Sequence, residues 1–269
     1  MQLTDTHCHI QEAFTGTSDD GVHERWAQAD KDPDQMIADA TAADVTRLVC
    51  VGCTVPDSTL AVAFVQNRPQ CWAAIGIHPH EAQRYLQDQK ALDDFARLAA
   101  KPKVVAVGEC GLDYFYNHSP KAAQEKMLRF QLELAWEHGL PLIFHVREAF
   151  QDFWPIFDEY PDVTGVIHSF TATQKELDEA LSRGLYIGLN GITTFMKDPA
   201  QLAAAKAVPL DRLLLETDAP FLTPSPERGR ICEPKHVRLT AAFLSQLRGE
   251  SLEQTAEATT HNAQLLFSF

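Results

Sequence analysis

The chain has 269 residues, 45% of them hydrophobic and 22% charged, with a formal net charge of −14. A chain of this length buries a full core without metal or disulfide staples. Its acidic balance argues against a broad nucleic-acid groove, whose grip comes from Lys and Arg on phosphates, but leaves room for an enzyme that holds a phosphate through bound cations, because a metal pair inverts the local field.

The opening segment MQLTDTHCHI has neither the basic stretch nor the apolar stretch of a secretory signal, and no apolar run approaches about 18 residues. The chain is therefore expected in the cytoplasm, with no membrane contact. Cysteine usage agrees. Cys8, Cys50, Cys53, Cys71, Cys110 and Cys232 lack paired short-spacing motifs, and Cys50-Val-Gly-Cys53 reads as two cysteines around a strand end. A structural zinc site, which draws on two close pairs, is not expected.

Eight short apolar, β-branched runs recur along the chain: Leu3–His9, Arg47–Gly52, Trp72–His78, Val104–Glu109, Leu142–Val146, Gly165–Phe170, Leu185–Asn190 and Leu213–Asp218. Continuously apolar runs such as Val104-Val-Ala-Val are what strands covered on both faces look like. Between them lie stretches with apolar residues at helical spacing. Met127, Phe130 and Leu134 precede Gly139 and Pro141, a helix stop followed by a strand entry. The alternation predicts an α/β chain folded as a single (β/α)8 barrel of the TIM type over residues 1–269, with an open sheet as the alternative. Two stretches break the rhythm. Residues from about Glu12 to Gln35 are acidic and read as a long loop after strand one. Leu222–Pro234 follows strand eight and carries Pro224, Pro226, Arg228 and Arg230. Both are expected at the catalytic face, where the loops after the strands gather.

The polar residues fall at the ends of these runs. His7 and His9 are two apart on strand one, so both rings point to one side. Glu109, His145, His168 and Asp218 stop the fourth, fifth, sixth and eighth runs. A lone His there is commonly structural, and a lone carboxylate commonly caps the next helix. Six such residues at five strand ends are hard to explain as independent caps, and burying them unpaired costs several kcal/mol apiece, on the order expected for desolvated charges. Four imidazoles and two carboxylates exceed the needs of one catalytic zinc. They suit two divalent cations sharing a carboxylate, an arrangement that stabilises both the attacking and the leaving oxygen of a phosphoryl displacement. Zn²⁺, Mn²⁺ or Fe²⁺ suits the mixed nitrogen and oxygen donors better than Mg²⁺, and the identity stays open.

The ordered motifs Asp5-Thr-His7-Cys-His9, Gly76-Ile-His78-Pro-His80, Gly108-Glu109-Cys-Gly-Leu-Asp113-Tyr, His145-Val-Arg147, His168-Ser-Phe170 and Glu216-Thr-Asp218-Ala-Pro220 resemble those of TatD-type metal-dependent hydrolases, as does the terminal Thr260-His-Asn262 helix. The resemblance spans nearly the whole chain. It implies a TIM barrel, two cations and hydrolysis of DNA, with DNA or another phosphodiester as the substrate partner. It places His7, His9 and Asp218 on one metal, and His145 and His168 on the other, with Glu109 bridging. His78 is then expected beside the pair, contacting phosphate or moving a proton. Asp5 is expected to orient a histidine ligand. Arg147 and Glu216 are support residues, Arg147 also a fork for phosphate. Two departures stand out. Ile231 and Cys232 occupy places where the family usually has Arg and Asn, and the stretch after His9 exceeds the family's usual short connection. Glu109, Asp218 and His78 are the expected catalytic groups, with Asp218 as proton acceptor for a metal-activated water. The competing readings are an ester or amide hydrolase, such as a D-aminoacyl-tRNA deacylase, and a binding protein without turnover.

Overall fold

The computed structural model describes residues 1–14 and 21–269. Its backbone divides into two compact units, one made of residues 1–50 and 169–269, the other of residues 51–168. The strands are β1 (Leu3–Cys8), β2 (Val45–Val51), β3 (Cys71–Ile75), β4 (Val104–Asp113), β5 (Leu142–Arg147), β6 (Gly165–Ile167), β7 (Tyr186–Leu189) and β8 (Leu213–Leu215).

In the first unit, β1 runs parallel to β2, with Leu3 opposite Val45 and Cys8 opposite Cys50. β7 runs parallel to β8, with Ile187 opposite Leu213 and Leu189 opposite Leu215. A parallel bridge from Cys8 to Ala219, just past β8, joins the two pairs. Every residue of β1 is buried, as expected of a strand with apolar material on both faces. The C-terminal helix Leu252–Phe267 packs on β1 and β8, and Asn262 donates to the carbonyls of Leu210 and Leu213 at 2.9 Å each. That bond gives the terminal Thr-His-Asn motif a structural role.

In the second unit, β3, β4, β5 and β6 are successive parallel neighbours. β4 is ten residues long and buried throughout. Its register slips between Val107 and Cys110, which turns the backbone at Glu109 out of the regular ladder. Gly76 permits this. A Cβ there would lie 2.2 Å from the Glu109 nitrogen, so only a bare backbone can pass. The helix Lys121–His138 packs on β4 and stops at Gly139, whose φ of 63° is left-handed. β5 then begins at Leu142, as the Gly139 and Pro141 signals predict.

The strand boundaries differ from the sequence expectation in two opposite ways. Glu109 lies inside β4 and His145 inside β5, whereas His9, His78, His168 and Asp218 lie beyond the last ladder residue of their strands. Asp218 leaves strand geometry outright, with φ of 62°.

The segment from Glu12 to Gln35 is not the long loop expected. It holds a helix at Val22–Gln28 and a second at Pro33–Ala42. The second is capped by Asp32, whose side chain accepts from the Gln35 N–H, with Pro33 in the first turn. Residues 15–20 of that expectation lie outside the described residues.

Candidate metal centre

Each unit carries its own cluster of ligating side chains. In the first, the Nε2 atoms of His7 and His9 are 3.2 Å apart, and Asp218 Oδ1 lies 3.7 Å from the first and 3.4 Å from the second. The ladder between the two chain segments sets this geometry. Asp218 N–H donates to the His7 carbonyl and His9 N–H to the Ala219 carbonyl, both at 2.8 Å. Asp5 sits beneath. Its Oδ1 accepts from Thr217 N–H at 2.9 Å and from His7 N–H at 3.3 Å, and its Oδ2 from the Thr217 hydroxyl at 2.6 Å. Asp5 therefore meets the histidine ligand His7 at its backbone N–H. Burial pushes the Asp5 carboxyl up to about 8, against the pull of those donors.

The helical insertion holds this cluster from the other side. Trp26, fully buried, donates its indole N–H to the His9 carbonyl at 3.0 Å, and His23 Nδ1 lies 2.7 Å from the Glu12 carbonyl. Glu216 accepts from Ser169 N–H at 2.6 Å and from the Asn190 amide at 3.3 Å. Its carboxylate lies where a Cβ on Gly188 would be, 2.4 Å from that position, so Gly188 makes room for it. Glu216 is thus a support residue of the loop after β6.

In the second unit Glu109 is the hub. Its Oε1 lies 2.8 Å from His145 Nδ1, 3.6 Å from His78 Nε2 and 3.8 Å from His168 Nε2. The other nitrogen of His145 is 2.9 Å from Asp113 Oδ2, which also faces His80 Nε2 at 3.0 Å. Burial pulls the His145 imidazole down, but the hydrogen bonds to Asp113 and Glu109 outweigh it and carry it up to about 9. Asp113 is pushed up by burial and pulled down further by His145 and His80, ending well below the usual carboxylate range. His78 Nδ1 accepts from the His80 N–H at 3.2 Å. The proton of its neutral ring then sits on Nε2, facing Glu109. Burial keeps the ring neutral by holding its pKa well below the ordinary value.

Two buried glutamines seven residues apart on one helix align this cluster. Gln131 accepts from Ile77 N–H at 2.8 Å and donates to the Ile77 carbonyl at 2.9 Å. Gln124 does the same for Asp113, at 2.7 and 3.0 Å. Sequence reasoning assigned no role to Gln124, Gln131, Asp113 or His80. The signal available was a polar residue recurring two helical turns apart on an apolar face.

The donor sets fit divalent cations. A four-coordinate ion with ligands at about 2.0–2.2 Å spaces its donor atoms by roughly 3.3–3.6 Å, close to the His7, His9 and Asp218 separations. His78, Glu109 and His145 likewise bring ligating atoms within 4.8 Å of one another, and so do His7, His9 and Asp218. Arg147 lies on the surface, its guanidinium over the rings of Phe115 and Tyr116 at 4.1 and 4.7 Å. Among the described residues of the Leu222–Pro234 loop, Arg230 pairs with Glu227 at 2.5 Å and Arg228 lies over Phe195 at 3.8 Å. Cys232 is buried where the resemblance has an amide, and burial raises its thiol well above the ordinary value. Among the described residues, no helix is long and apolar enough to cross a membrane.

Residues 4–268 match the family described as TatD related DNase. The chain is 38% identical over 256 residues to the 3'-5' ssDNA/RNA exonuclease TatD of Citrobacter rodentium, covering 93% of this chain and 97% of that protein. It is 36% identical over 267 residues to the metal-dependent hydrolase YabD of Bacillus subtilis, covering 98% of each. The crystal structure of YJJV, a TatD homolog from Escherichia coli K12, superposes with a TM-score of 0.86 at 26% identity, covering 99% of this chain and 98% of that one. The fold is the (β/α)8 barrel expected from the strand alternation, and the chain belongs to the TatD-related DNase family of metal-dependent hydrolases.

Proposed function

We propose that this enzyme hydrolyses phosphodiester bonds of single-stranded nucleic acid, with residues 1–269 working as one domain in the cytoplasm and two divalent cations bound. The observation that carries the reading is the pair of ligating clusters, His7 with His9 and Asp218, and His78 with Glu109 and His145, partly buried and with ligating atoms within 4.8 Å of one another, in a chain whose relatives include a named exonuclease. His7, His9 and Asp218 hold one ion. Glu109, His145 and His168 hold the other, with His78 beside them. The cations, when bound, lower the pKa of water and neutralise charge on the phosphate oxygens.

The residues divide the remaining work by exposure. The side chain of Asp218 is 17% exposed, against 0% for His7 and 5% for His9. It is the member of its cluster that water reaches, and it accepts the proton of the attacking water. His78 presents a neutral Nε2–H that can donate to a phosphoryl oxygen. Asp113 holds the His145 ring from behind, leaving Nδ1 turned to the Glu109 side. Arg147, its guanidinium over two rings, supplies N–H groups for phosphate.

The test is chelation followed by add-back of Mg²⁺, Mn²⁺ or Zn²⁺, with single-stranded DNA, duplex DNA, RNA and a D-aminoacyl-tRNA as parallel substrates. The expected outcome is loss and recovery of strand cleavage. Cleavage that persists in excess chelator, or turnover of the aminoacyl ester alone, would overturn the proposal.

A further inference from the structure

Phe115 and Tyr116 are exposed side by side, at 50% and 51% of their surface. Their rings meet edge to face with centroids 4.8 Å apart. The Arg147 guanidinium lies over both, and the His118 ring stacks on Tyr116 at 5.7 Å, 16° from parallel. Two adjacent large apolar rings left in water forfeit the burial that such side chains usually find, and here a planar cation extends the surface they form.

The position of these rings is tied to the candidate metal site by one carboxylate. Asp113 Oδ1 accepts from the N–H groups of both Phe115 and Tyr116, at 3.0 Å each, while its Oδ2 faces His145 and His80. The Tyr114 N–H also donates to the Arg147 carbonyl at 3.0 Å. The turn carrying the rings and the imidazole of His145 are therefore held by opposite oxygens of the same group.

We propose that Phe115, Tyr116 and the Arg147 plane form a platform on which unpaired nucleobases stack while the neighbouring phosphodiester is presented to the metal cluster. This rests on the nuclease reading above. Aromatic faces take any base whose own faces are free, so the platform selects single strands without reading their sequence. Stacking also answers the charge problem. A chain of net charge −14 has few cations to release counterions from a phosphate backbone, so strand affinity drawn from stacking depends weakly on salt.

The test compares the unmodified, metal-loaded enzyme with the variant Phe115→Ala/Tyr116→Ala on a single-stranded oligonucleotide and on an abasic strand of equal length. The expected result is a KM about 10- to 100-fold higher on the base-bearing strand, with kcat within about threefold and the two proteins converging on the abasic strand. An unchanged KM, or an equal rise on both strands, would overturn the platform. Phe115→Leu/Tyr116→Leu keeps apolar bulk under Arg147 and separates lost stacking from lost folding, with thermal melting as the check. Tyr116→Phe keeps the ring and should restore the low KM. If the unmodified enzyme cleaves no nucleic acid, the nuclease reading falls by itself. Anisotropy of a labelled oligothymidine in chelator then decides the platform, for which tenfold weaker binding by the alanine variant, roughly the loss of one stacked base, is required and equal binding is fatal.

Discussion

The two clusters are held in place by different means. His7, His9 and Asp218 are fixed chiefly by backbone. The ladder bonds from Asp218 and Ala219 to the end of β1, and the Trp26 indole on the His9 carbonyl, set where each side chain starts. Around Glu109 the fixing is done by side chains. Asp113 grips His145, and Gln124 and Gln131 hold the Asp113 and Ile77 backbones. A site fixed by ladder bonds tolerates a change in its surroundings as long as the ladder survives. A site fixed by a side-chain network transmits each lost contact to the ligand.

The largest expected effects are common to both clusters. Asp218→Asn and Glu109→Gln keep shape and remove a charge proposed to ligate a cation, so each should lower kcat by about 1000-fold or more, the several kcal/mol that a bound metal supplies. Metal content by mass spectrometry accompanies the kinetics. Full activity in either variant would remove that residue from the proposed chemistry and leave the comparison with one cluster.

The next pair separates the two designs. Asp113→Asn alters a side-chain support and should cost roughly 10- to 100-fold in kcat/KM. Thr217→Val removes a hydroxyl that serves Asp5 but leaves the ladder intact. It should cost about 1–3 kcal/mol of stability by stranding a buried acceptor, with kcat of the folded enzyme within about tenfold. Equal kinetic losses in the two variants would show that the ladder confers no tolerance.

The same contrast explains what the sequence made legible. β4 could be read because the unbroken apolar run Val104-Val-Ala-Val has few other homes, and β1 could be read from its His-x-His pair because strand periodicity is rigid. Supports that act through space left weaker marks. Gln131 is 54 residues from the Ile77 backbone it holds, and its one local mark is the two-turn spacing from Gln124 on an apolar face. Trp26 lies in a stretch whose acidic composition masked two short helices, because charge says little about helicity once a cap such as Asp32 and a buried indole are present. The resemblance implies for Asp5 only that it orients a histidine ligand, without naming its partner. In the fold it faces the chain segment 212 residues away, at Thr217.

Smaller effects sharpen the picture within the network. Gln131→Leu leaves the N–H and carbonyl of Ile77 buried without their partners, at a cost of about 1–3 kcal/mol, readable by urea unfolding. Because Ile77 precedes His78, KM for the strand should also rise by a few fold, roughly the effect of loosening one neutral hydrogen bond. A destabilised variant with unchanged kinetics would show that His78 is placed by its own contacts, such as its N–H on the Cys53 carbonyl, and not through Ile77.

The smallest effect lies in the loop that follows β8. His236 is buried, and its Nδ1 accepts from the Glu233 N–H at 3.0 Å. Burial holds its pKa below the ordinary 6.5, with Glu233 opposing. Between that lowered value and 6.5 the unfolded chain binds a proton that the folded chain refuses. The stability of the neutral ring is therefore complete above about pH 6.5 and is lost as pH falls toward the folded value, with a slope of at most about 1.4 kcal/mol per pH unit for a single proton. His236→Gln keeps an acceptor for the Glu233 N–H and removes the titration, so its Tm should fall less than that of the parent between about pH 7.5 and about pH 5.5. Parallel losses in the two proteins would mean that the loop opens to solvent before His236 is protonated. The backbone-held side of the molecule would then end short of this loop, at the Ala219 bridge.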